Sequence, residues 1–265
     1  MHPMLNIAIR AARAAGNAII RQIDYAQDLP LTEKSRNDFV TEVDRQAEAI
    51  IIDTLRKAYP KHAILAEESG AHGENEYLWI IDPLDGTTNF LHGFPQYAVS
   101  IALQHKGVLN QAVVYDPLRQ ELFTASRGQG AHLNDRRIRV SKNKHLKTAL
   151  LGTGFPFREG ADFDLYLDTF RKLAPLTAGI RRAGAAALDL AYVACGRLDG
   201  FWEFGLKPWD IAAGALLIEE AGGIVCNMYP DKKDYLSSGD IISGNPSILE
   251  EIRECLGSII TSRGQ

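Results

Sequence analysis

The chain has 265 residues, of which 46% are hydrophobic and 23% are charged, the proportions of a globular protein long enough to bury a full core. A net charge of -4 at pH 7 argues against a broad basic surface, so no direct binding of nucleic acid is expected. No apolar run approaches the ~18 residues of a membrane span. The three cysteines are widely separated in the sequence, so they are expected to be free thiols in a reducing compartment. We therefore expect a cytoplasmic protein with no membrane partner.

The first predicted elements are two amphipathic helices. Between Leu5 and Ile23 apolar residues recur at helical spacing, so this arginine-containing segment is interpreted as part of the fold rather than as a transit peptide. A second helix is predicted to begin near Thr41, a candidate N-cap with Asp44 three residues later, and to be stopped by Pro60.

Strand-like runs follow the second helix. Short strands are predicted at 63–66 and 77–81. From Ala98 to Val140 apolar runs are broken by turn residues, a pattern typical of a meander. The first half of the chain is therefore predicted to form an antiparallel sheet.

After about residue 146 the predicted strands and helices alternate. The strands are predicted at 149–152, 199–204, 224–228 and 241–245, and the helices at 163–173, 185–195, 209–221 and 246–256. An antiparallel first half followed by an alternating second half predicts a layered mixed α/β fold. We treat 1–265 as a single unit with two packed lobes, about 1–145 and 146–265.

The most informative segment is WIIDPLDGTTNF at 79–90. A predicted strand ends in two carboxylates, Asp82 and Asp85, which repel each other unless a cation or a raised pKa relieves them. Mg²⁺ prefers oxygen ligands of this kind, and the Gly-Thr-Thr run that follows offers N–H groups and hydroxyls suited to a phosphate. The structural alternative is a pair of turns. The run behind the acids favours a functional site.

Two further acids are candidates for the same site. Glu67 follows the 63–66 strand, and Asp210 opens a predicted helix. The structural alternatives are a solvated loop acid for Glu67 and, for Asp210, a first-turn acid that complements the helix dipole. Each alternative would be favoured if the motif at 82–85 were absent.

These motifs resemble those of the inositol monophosphatase family. The resemblance is carried by DPLDGTTN at 82–89, EES at 67–69, WDIAAG at 209–214 and EAGG at 220–223. NDFVTEVD, GFPF and ALDLAYVACGRLDGFWE look closest to its bacterial SuhB-type branch, and the similarity covers essentially the whole chain. It implies a catalytic unit folded as an α-β-α-β-α sandwich of the inositol monophosphatase and fructose-1,6-bisphosphatase type, with an antiparallel first sheet and a mixed second sheet. It also implies a homodimer and sensitivity to lithium.

The resemblance implies two or three bound Mg²⁺ ions. Glu67, Asp82 and the carbonyl of Leu84 would hold one ion, and Asp82, Asp85 and Asp210 would hold a second. Glu67 would also reach a third, looser ion.

The same resemblance implies catalytic roles. Thr87 and Asp44 would orient the attacking water, with Glu67 also in the catalytic set. The N–H groups of Gly86 and Thr87 would bind the phosphate, and Lys34, beside a mobile loop, would cover the site.

The substrate's remaining contacts are implied in the same way. Glu203 would hydrogen-bond the polyol. The chain departs from the family pattern at two positions. Ala185 stands where many members carry Ser or Thr, and Lys207 stands where animal members carry His. Both departures leave the exact substrate preference open. The full set of implied substrate-binding residues is Asp85, Gly86, Thr87, Ala186, Glu203, Lys207 and Asp210.

The residues and the resemblance together predict a Mg²⁺-dependent phosphatase. Metal ions lower the pKa of bound water and stabilise a leaving oxygen, which are the two needs of phosphate monoester hydrolysis. The sequence has neither the G-x-S-x-G nor the H-E-x-x-H motif, which argues against serine and zinc hydrolases. The expected reaction is hydrolysis of myo-inositol monophosphate to inositol and phosphate, by in-line attack of metal-activated water. Other small sugar or nucleotide phosphates are alternative substrates.

A hypothesis from another class is an interaction protein. The SuhB-type resemblance implies association with transcription antitermination proteins and RNA polymerase. The acidic charge balance allows protein partners more readily than direct contact with RNA. No residue pattern marks the surface that such partners would use, so the enzyme is the primary prediction.

Overall fold

The fold is seen in a computed structural model that describes residues 2–23, 32–35, 38–156, 162–232 and 234–263, with side chains left undescribed at 32–35, 38–40 and 261–263. None of the helices in these ranges is both long and apolar enough to cross a membrane.

Two amphipathic helices, α1 (Pro3–Arg21) and α2 (Glu42–Ala58), form the first layer. The predicted cap of α2 is confirmed, because the Thr41 side chain accepts a hydrogen bond from the backbone of the first turn while Asp44 bonds back to the backbone of Thr41. Their buried faces pack against each other and against the first sheet, which places the start of α2 beside the end of a central strand.

The described residues form an eight-stranded first sheet in the order β10-β9-β8-β7-β6-β5-β3-β4. A separate hairpin joins β1 (Thr32–Ser35) to β2 (Asp38–Val40). The strands of the large sheet are β3 (Ala63–Ala66), β4 (Gly70–His72), β5 (Tyr77–Asp85), β6 (Ala98–His105), β7 (Val108–Asp116), β8 (Glu121–Ser126), β9 (Gly130–Leu133) and β10 (Arg136–Arg137).

The antiparallel meander predicted from Ala98 to Val140 is confirmed in β6 through β10, where each strand is antiparallel to the next. One strand pair, however, corrects the prediction that the first sheet is wholly antiparallel. Strand β3 lies parallel to β5, since β4 turns back along the outer edge of β3 before the chain returns to form β5. The first sheet is therefore mixed. The parallel pair makes the ends of β3 and β5 meet at one edge, with Ala66 opposite Ile81.

The second sheet contains five strands among the described residues, in the order β12-β11-β13-β15-β14. Its β11 is parallel to both β12 and β13, whereas β15 is antiparallel to both β13 and β14, so the predicted mixed sheet is confirmed. The strands are β11 (Leu150–Thr153), β12 (Gly179–Arg181), β13 (Gly200–Glu203), β14 (Ile224–Asn227) and β15 (Ile241–Gly244).

Two almost wholly buried helices, α5 (Ala186–Ala194) and α6 (Pro208–Glu220), pack between the two sheets. On the far side of the second sheet lie α4 (Phe163–Leu173) and α8 (Pro246–Arg263). Two short helices, α3 (Thr87–Leu91) and α7 (Tyr235–Ser238), complete the α-helices of the described ranges. This is the five-layered α-β-α-β-α arrangement that was predicted. The division into lobes near 145/146 stays a prediction.

Candidate active site

A β-bulge brings the two acids of the DPLD motif to one face of the first sheet. Asp82 pairs with Ser100 on β6, whereas Asp85, three residues later, pairs with Ala98, so the register shifts by one residue between them. Cross-strand partners share a face, and Ser100 and Ala98 are two residues apart on β6. Asp82 and Asp85 therefore both point to the side covered by α5 and α6, where the Ser100 hydroxyl donates to the carbonyl oxygen of Trp209.

Parallel pairing of β3 with β5 places Glu67 beside this motif. The N–H of Glu67 donates a 3.1 Å hydrogen bond to the carbonyl oxygen of Ile81, the residue before Asp82. Hydrogen bonding with the Glu67 side chain contributes to a raised pKa at Asp82. The two side chains are therefore in contact, as the sequence predicted for a shared site.

Asp85 and Asp210 are held by the helices of the middle layer. One carboxylate oxygen of Asp85 accepts a 2.7 Å hydrogen bond from the N–H of Ala187 in the first turn of α5. Asp210 lies in the first turn of α6 and accepts a 2.7 Å hydrogen bond from the N–H of Lys207. Helix N-termini favour negative charge, so both helices stabilise the carboxylates that they hold. We call Glu67, Asp82, Asp85 and Asp210 the acidic cluster.

Burial and mutual repulsion raise the pKa values of Asp82 and Asp85 in the acidic cluster. The pKa of Asp82, which is only 2% exposed, is raised well above its ordinary value, first by burial and then by the charges of Glu67, Asp85 and Asp210. The pKa of Asp85 is also raised, first by burial and then by Asp210. Folding has gathered like charges away from water, an arrangement that a bound cation would relieve.

The acidic cluster fits Mg²⁺ by the chemistry of its donors. The predicted ligands are carboxylates and one backbone carbonyl, all of them oxygen donors of the kind that Mg²⁺ takes. Within the described residues, however, no three His, Cys, Asp or Glu side chains already stand as a ready-made ligand set. The acidic cluster therefore suits a cation through its donor type and through the repulsion among its carboxylates, and not as a preformed cage.

Thr87 and Asp44 form a pair next to the acidic cluster. The Thr87 hydroxyl lies 2.8 Å from one Asp44 oxygen and 3.1 Å from the carbonyl oxygen of Leu84. The other Asp44 oxygen accepts bonds from the N–H of Thr41 at 2.8 Å and from its hydroxyl at 2.5 Å. Burial raises the pKa of Asp44, although these hydrogen bonds act in the opposite direction. The pair joins α2 to the first residue of α3.

Gly86 makes the turn between β5 and α3. Its φ of +95° lies in the left-handed region, and a Cβ there would stand 2.8 Å from the carbonyl oxygen of Gln96. Only glycine fits this position without strain. Beyond the turn, the Asn89 side chain donates to the carbonyl oxygens of Gln96 at 2.7 Å and of Ala183 at 2.9 Å. Asn89 thereby ties the DPLDGTTN segment to the segment that leads into α5.

A small pocket of about 120 Å³ opens next to the acidic cluster, and we call it the polar pocket because five charged residues are part of its wall. Asp85 and Asp210 belong to both, so the pocket and the cluster form one continuous site. The pocket is lined by Asp85, Thr153, Gly154, Phe155, Pro156, Arg182, Gly184, Ala185, Ala186, Asp189, Glu203, Phe204, Gly205, Leu206 and Asp210.

The predicted substrate residue Glu203 lies in the polar pocket. Its carboxylate packs so closely on Gly154 that a Cβ at that position would be 2.0 Å from a Glu203 oxygen. Burial, followed by the charges of Asp210 and Asp189, raises the pKa of Glu203 well above its ordinary value. Ala186, another predicted substrate residue, lines the same pocket.

Two charged residues of the pocket, Asp189 and Arg182, were not predicted from the sequence. Asp189 is buried within α5, and its burial raises its pKa to about 8 against a lowering influence of Arg182. Arg182 stands at the pocket with its guanidinium 4.8 Å from the centre of the Phe155 ring. Asp189 lies in the ALDLAY run, where it is a charged residue in an otherwise apolar helix, and no sequence motif marks it as a site residue.

Two of the predicted site residues are the lysines Lys207 and Lys34. Lys207 has an exposed side chain that is not among the residues lining the pocket, and its backbone N–H donates to Asp210. Lys34 lies in β1, and its side chain falls outside the described part of the chain.

Comparisons with known proteins show which sequences and structures this chain resembles. A Nus factor SuhB of Pseudomonas aeruginosa is 60% identical over 251 residues, which are 92% of this chain and 92% of that protein. The crystal structure of the extragenic suppressor protein SuhB from Bartonella henselae superimposes with a TM-score of 0.92 at 45% identity, covering 96% of this chain and 98% of that one.

An inositol monophosphatase from Anabaena (Nostoc) sp. PCC 7120 superimposes with a TM-score of 0.82 at 42% identity, covering 96% of this chain and 95% of that one. These likenesses confirm the predicted type of fold. The model of the inositol monophosphatase family matches residues 1–260. The chain therefore belongs to the inositol monophosphatase family of phosphatases.

Proposed function

We propose that this protein hydrolyses small phosphate monoesters in a Mg²⁺-dependent reaction, and that myo-inositol monophosphate is its preferred substrate. The observation that carries the proposal is the shared wall of the site: Asp85 and Asp210 belong both to the acidic cluster and to the polar pocket. A phosphate at the cluster would therefore present its alcohol group to the pocket.

The acidic cluster would hold the metal. Glu67, Asp82 and the Leu84 carbonyl would hold one ion, and Asp82, Asp85 and Asp210 a second, with Glu67 reaching a third. Mg²⁺ at these positions supplies neutralising charge for the phosphate and lowers the pKa of water. The Leu84 N–H donates to Asp82 at 3.0 Å, which fixes the orientation of the carboxylate that both ions would share.

Thr87 and Asp44 would orient the attacking water. Because the Thr87 hydroxyl directs its proton to the Asp44 oxygen or to the Leu84 carbonyl, its own lone pairs are left to accept a hydrogen bond. A water donating to that oxygen would keep a lone pair directed at the phosphorus. Asp44 is fixed by two bonds from Thr41 and cannot turn away from Thr87 without breaking them.

The start of α3 would bind the phosphate oxygens. Its first N–H groups have no carbonyl partner within the helix, and no side chain in the described part of the chain caps them. Gly86 adds no side chain that would block the approach of a phosphate. The N–H groups of Gly86 and Thr87 are therefore suited to the anion that the reaction transfers to water.

The polar pocket would select the alcohol. Glu203, Asp85 and the backbone near Ala186 offer hydrogen-bonding groups to the hydroxyls of a small polyol. The pocket volume of about 120 Å³ favours a small substrate. Lys207 and Asp210 complete the proposed set of contacts, Asp210 from the wall of the pocket and Lys207 from outside it.

Release of inorganic phosphate from a panel of esters tests the proposal. The panel should contain inositol 1-phosphate, a sugar phosphate, a nucleotide phosphate and an aryl phosphate, each with Mg²⁺, with a chelator, and with Mg²⁺ restored. We expect release that requires Mg²⁺ and is fastest with inositol phosphate. Release that survives chelation, or no release from any ester, would contradict the proposal. Lithium inhibition and a homodimer, tested by inhibition assays and light scattering, remain predictions.

A second function is favoured by one observation, the name Nus factor carried by a relative that is 60% identical. We infer that this chain also associates with transcription antitermination proteins or RNA polymerase. Complementation of a deletion strain by an Asp82→Asn variant at matched expression separates the two roles, since this buried change leaves the outer surface intact. Growth rescue together with recovery of RNA polymerase in a pull-down would support association. If the wild type rescues growth but the variant does not, and no RNA polymerase is recovered, the association is contradicted and only the phosphatase function remains.

A further inference from the structure

Helix α2 carries two buried acids on one face. Asp44 is fully buried and Glu48, one helical turn later, is 3% exposed. Residues four apart lie above one another on a helix. Asp44 is hydrogen-bonded to the Thr87 hydroxyl, whereas Glu48 has no role in the proposed mechanism. A charged residue is rarely buried so fully without a specific partner.

Both oxygens of Glu48 accept hydrogen bonds from the turn that follows β3. One oxygen accepts from the N–H of Glu68 at 2.8 Å, and the other accepts from the N–H of Ser69 at 2.9 Å. These two donors are 20 and 21 residues away in sequence. Hydrogen bonds from N–H groups to an ionised carboxylate are shorter and stronger than neutral ones. Glu48 therefore fixes the turn at two adjacent backbone positions.

Glu67 stands between two points of attachment. On one side its own N–H is bonded to the carbonyl oxygen of Ile81 on β5. On the other side the next two N–H groups are bonded to Glu48. With the backbone held before and after it, the Glu67 side chain has few directions left, and the one that it takes leads to Asp82.

We propose that Glu48 is a positioning residue that aims the Glu67 carboxylate at the acidic cluster. The inference rests on the proposed function, because it assumes that Glu67 is a metal ligand. A single helix face then sets two parts of the site: Asp44 places the Thr87 hydroxyl, and Glu48 places the Glu67 turn. Glu48 would contact neither metal nor substrate.

The test is Glu48→Gln, which keeps the shape of the side chain but offers one acceptor for two N–H groups. Asp53→Asn is the matched control, since Asp53 lies on the same helix with 61% of its side chain exposed. We expect faster amide hydrogen exchange at Glu68 and Ser69, and Mg²⁺ binding by calorimetry weakened by roughly tenfold or more, as for other residues that orient metal ligands. The control should match the wild type in both measurements.

Enzyme assays add a second readout. A positioning defect should be rescued by high Mg²⁺, so turnover by the Glu48→Gln variant should approach the wild-type value at saturation, whereas a general folding defect would not respond to the ion. Unchanged Mg²⁺ affinity despite faster exchange at Glu68 and Ser69, or unchanged exchange at both amides, would overturn the inference.

The same data separate this inference from the proposed function. If the wild type binds Mg²⁺ but releases no phosphate from any ester, the proposed function fails and the calorimetric comparison still decides the role of Glu48. If the wild type binds no Mg²⁺, the inference fails as well.

Discussion

The Thr87 hydroxyl donates a 2.8 Å hydrogen bond to Asp44, a residue 43 positions earlier in the chain. The bond joins the start of α3 to the first turn of α2. It places a hydroxyl group beside the DPLD motif, 3.1 Å from the carbonyl oxygen of Leu84.

This relationship predicts the effect of Thr87→Val. The variant keeps the side-chain shape but removes the oxygen that would orient water, so turnover should fall by about a hundredfold or more while substrate affinity changes little. Leaving a buried Asp44 oxygen without its donor should also cost about 1–3 kcal/mol of stability. Steady-state kinetics and thermal unfolding measure the two effects. Thr87→Ser, which retains the hydroxyl, is the control. A loss confined to affinity would make Thr87 a binding residue.

Asp82→Asn should inactivate the enzyme without unfolding it. Asp82 is the proposed ligand shared by two ions, so its loss should raise the barrier by roughly 4 kcal/mol, about a thousandfold in rate. The side-chain oxygen that accepts from Leu84 is retained in Asn. Because the change removes one charge from a repelling buried group, the metal-free variant should unfold at the same temperature as the wild type or higher. Near-normal turnover at saturating Mg²⁺ would contradict the assignment.

Glu203→Gln should change specificity more than catalysis. The Glu203 side chain faces the polar pocket and is proposed to accept hydrogen bonds from substrate hydroxyls. The variant should lose about 1–3 kcal/mol of discrimination for inositol phosphate and keep its rate on an aryl phosphate, which has no polyol to bind. The ratio of kcat/KM for the two substrates is the measurement. Equal losses on both would indicate that Glu203 supports the cluster or the fold.

Asp189→Asn should stabilise the protein most at alkaline pH. Burial raises the pKa of Asp189 to about 8 from an ordinary value of 3.8, so between these values the native state keeps a proton that the unfolded chain releases. Stability therefore falls as pH rises through this window, and the loss is complete above about pH 8. Asn carries no charge at any pH. With a chelator present, the gain in Tm of the variant over the wild type should grow from pH 5 to pH 8.5.

A matched comparison makes this pH dependence specific. Asp164→Asn removes an exposed acid in the first turn of α4 and should give a Tm difference that does not grow with pH in this range. A difference for Asp189→Asn that is equally flat would contradict the raised pKa.

Local patterns were sufficient to predict several elements. The 63–66 strand and the 163–173 helix have the predicted bounds, because each has a clear apolar period and clear flanking signals. The last helix continues from 246 to Arg263 and the 77–81 strand continues to Asp85, since neither Gly257 nor Pro83 ends its element. The order of the layers came from the family resemblance, because strand order in a sheet depends on contacts that no local pattern records.

Contacts between distant segments of the candidate site could not be predicted from the sequence. Asp82 and Asp85 were found because their motif is contiguous, but the bulge that turns both to one face depends on pairing with β6. Glu48 and Asp189 were missed because each is an ordinary charged residue in a helical pattern. Their roles arise from contacts with a distant turn and with the pocket wall.

The hydrogen bonds Asn89–Ala183 and Asp85–Ala187 have a consequence for biosynthesis. Asn89 bonds to Ala183, 94 residues later, and Asp85 bonds to a backbone group 102 residues later. While a ribosome has made only the first sheet, Asp85 has no helix terminus to stabilise it, and Asp210 has not yet been made. Contacts of such long sequence separation form late in folding. The site therefore comes together only after α6 has been synthesised, and a chain that stops earlier exposes a group of unneutralised carboxylates instead of an enzyme.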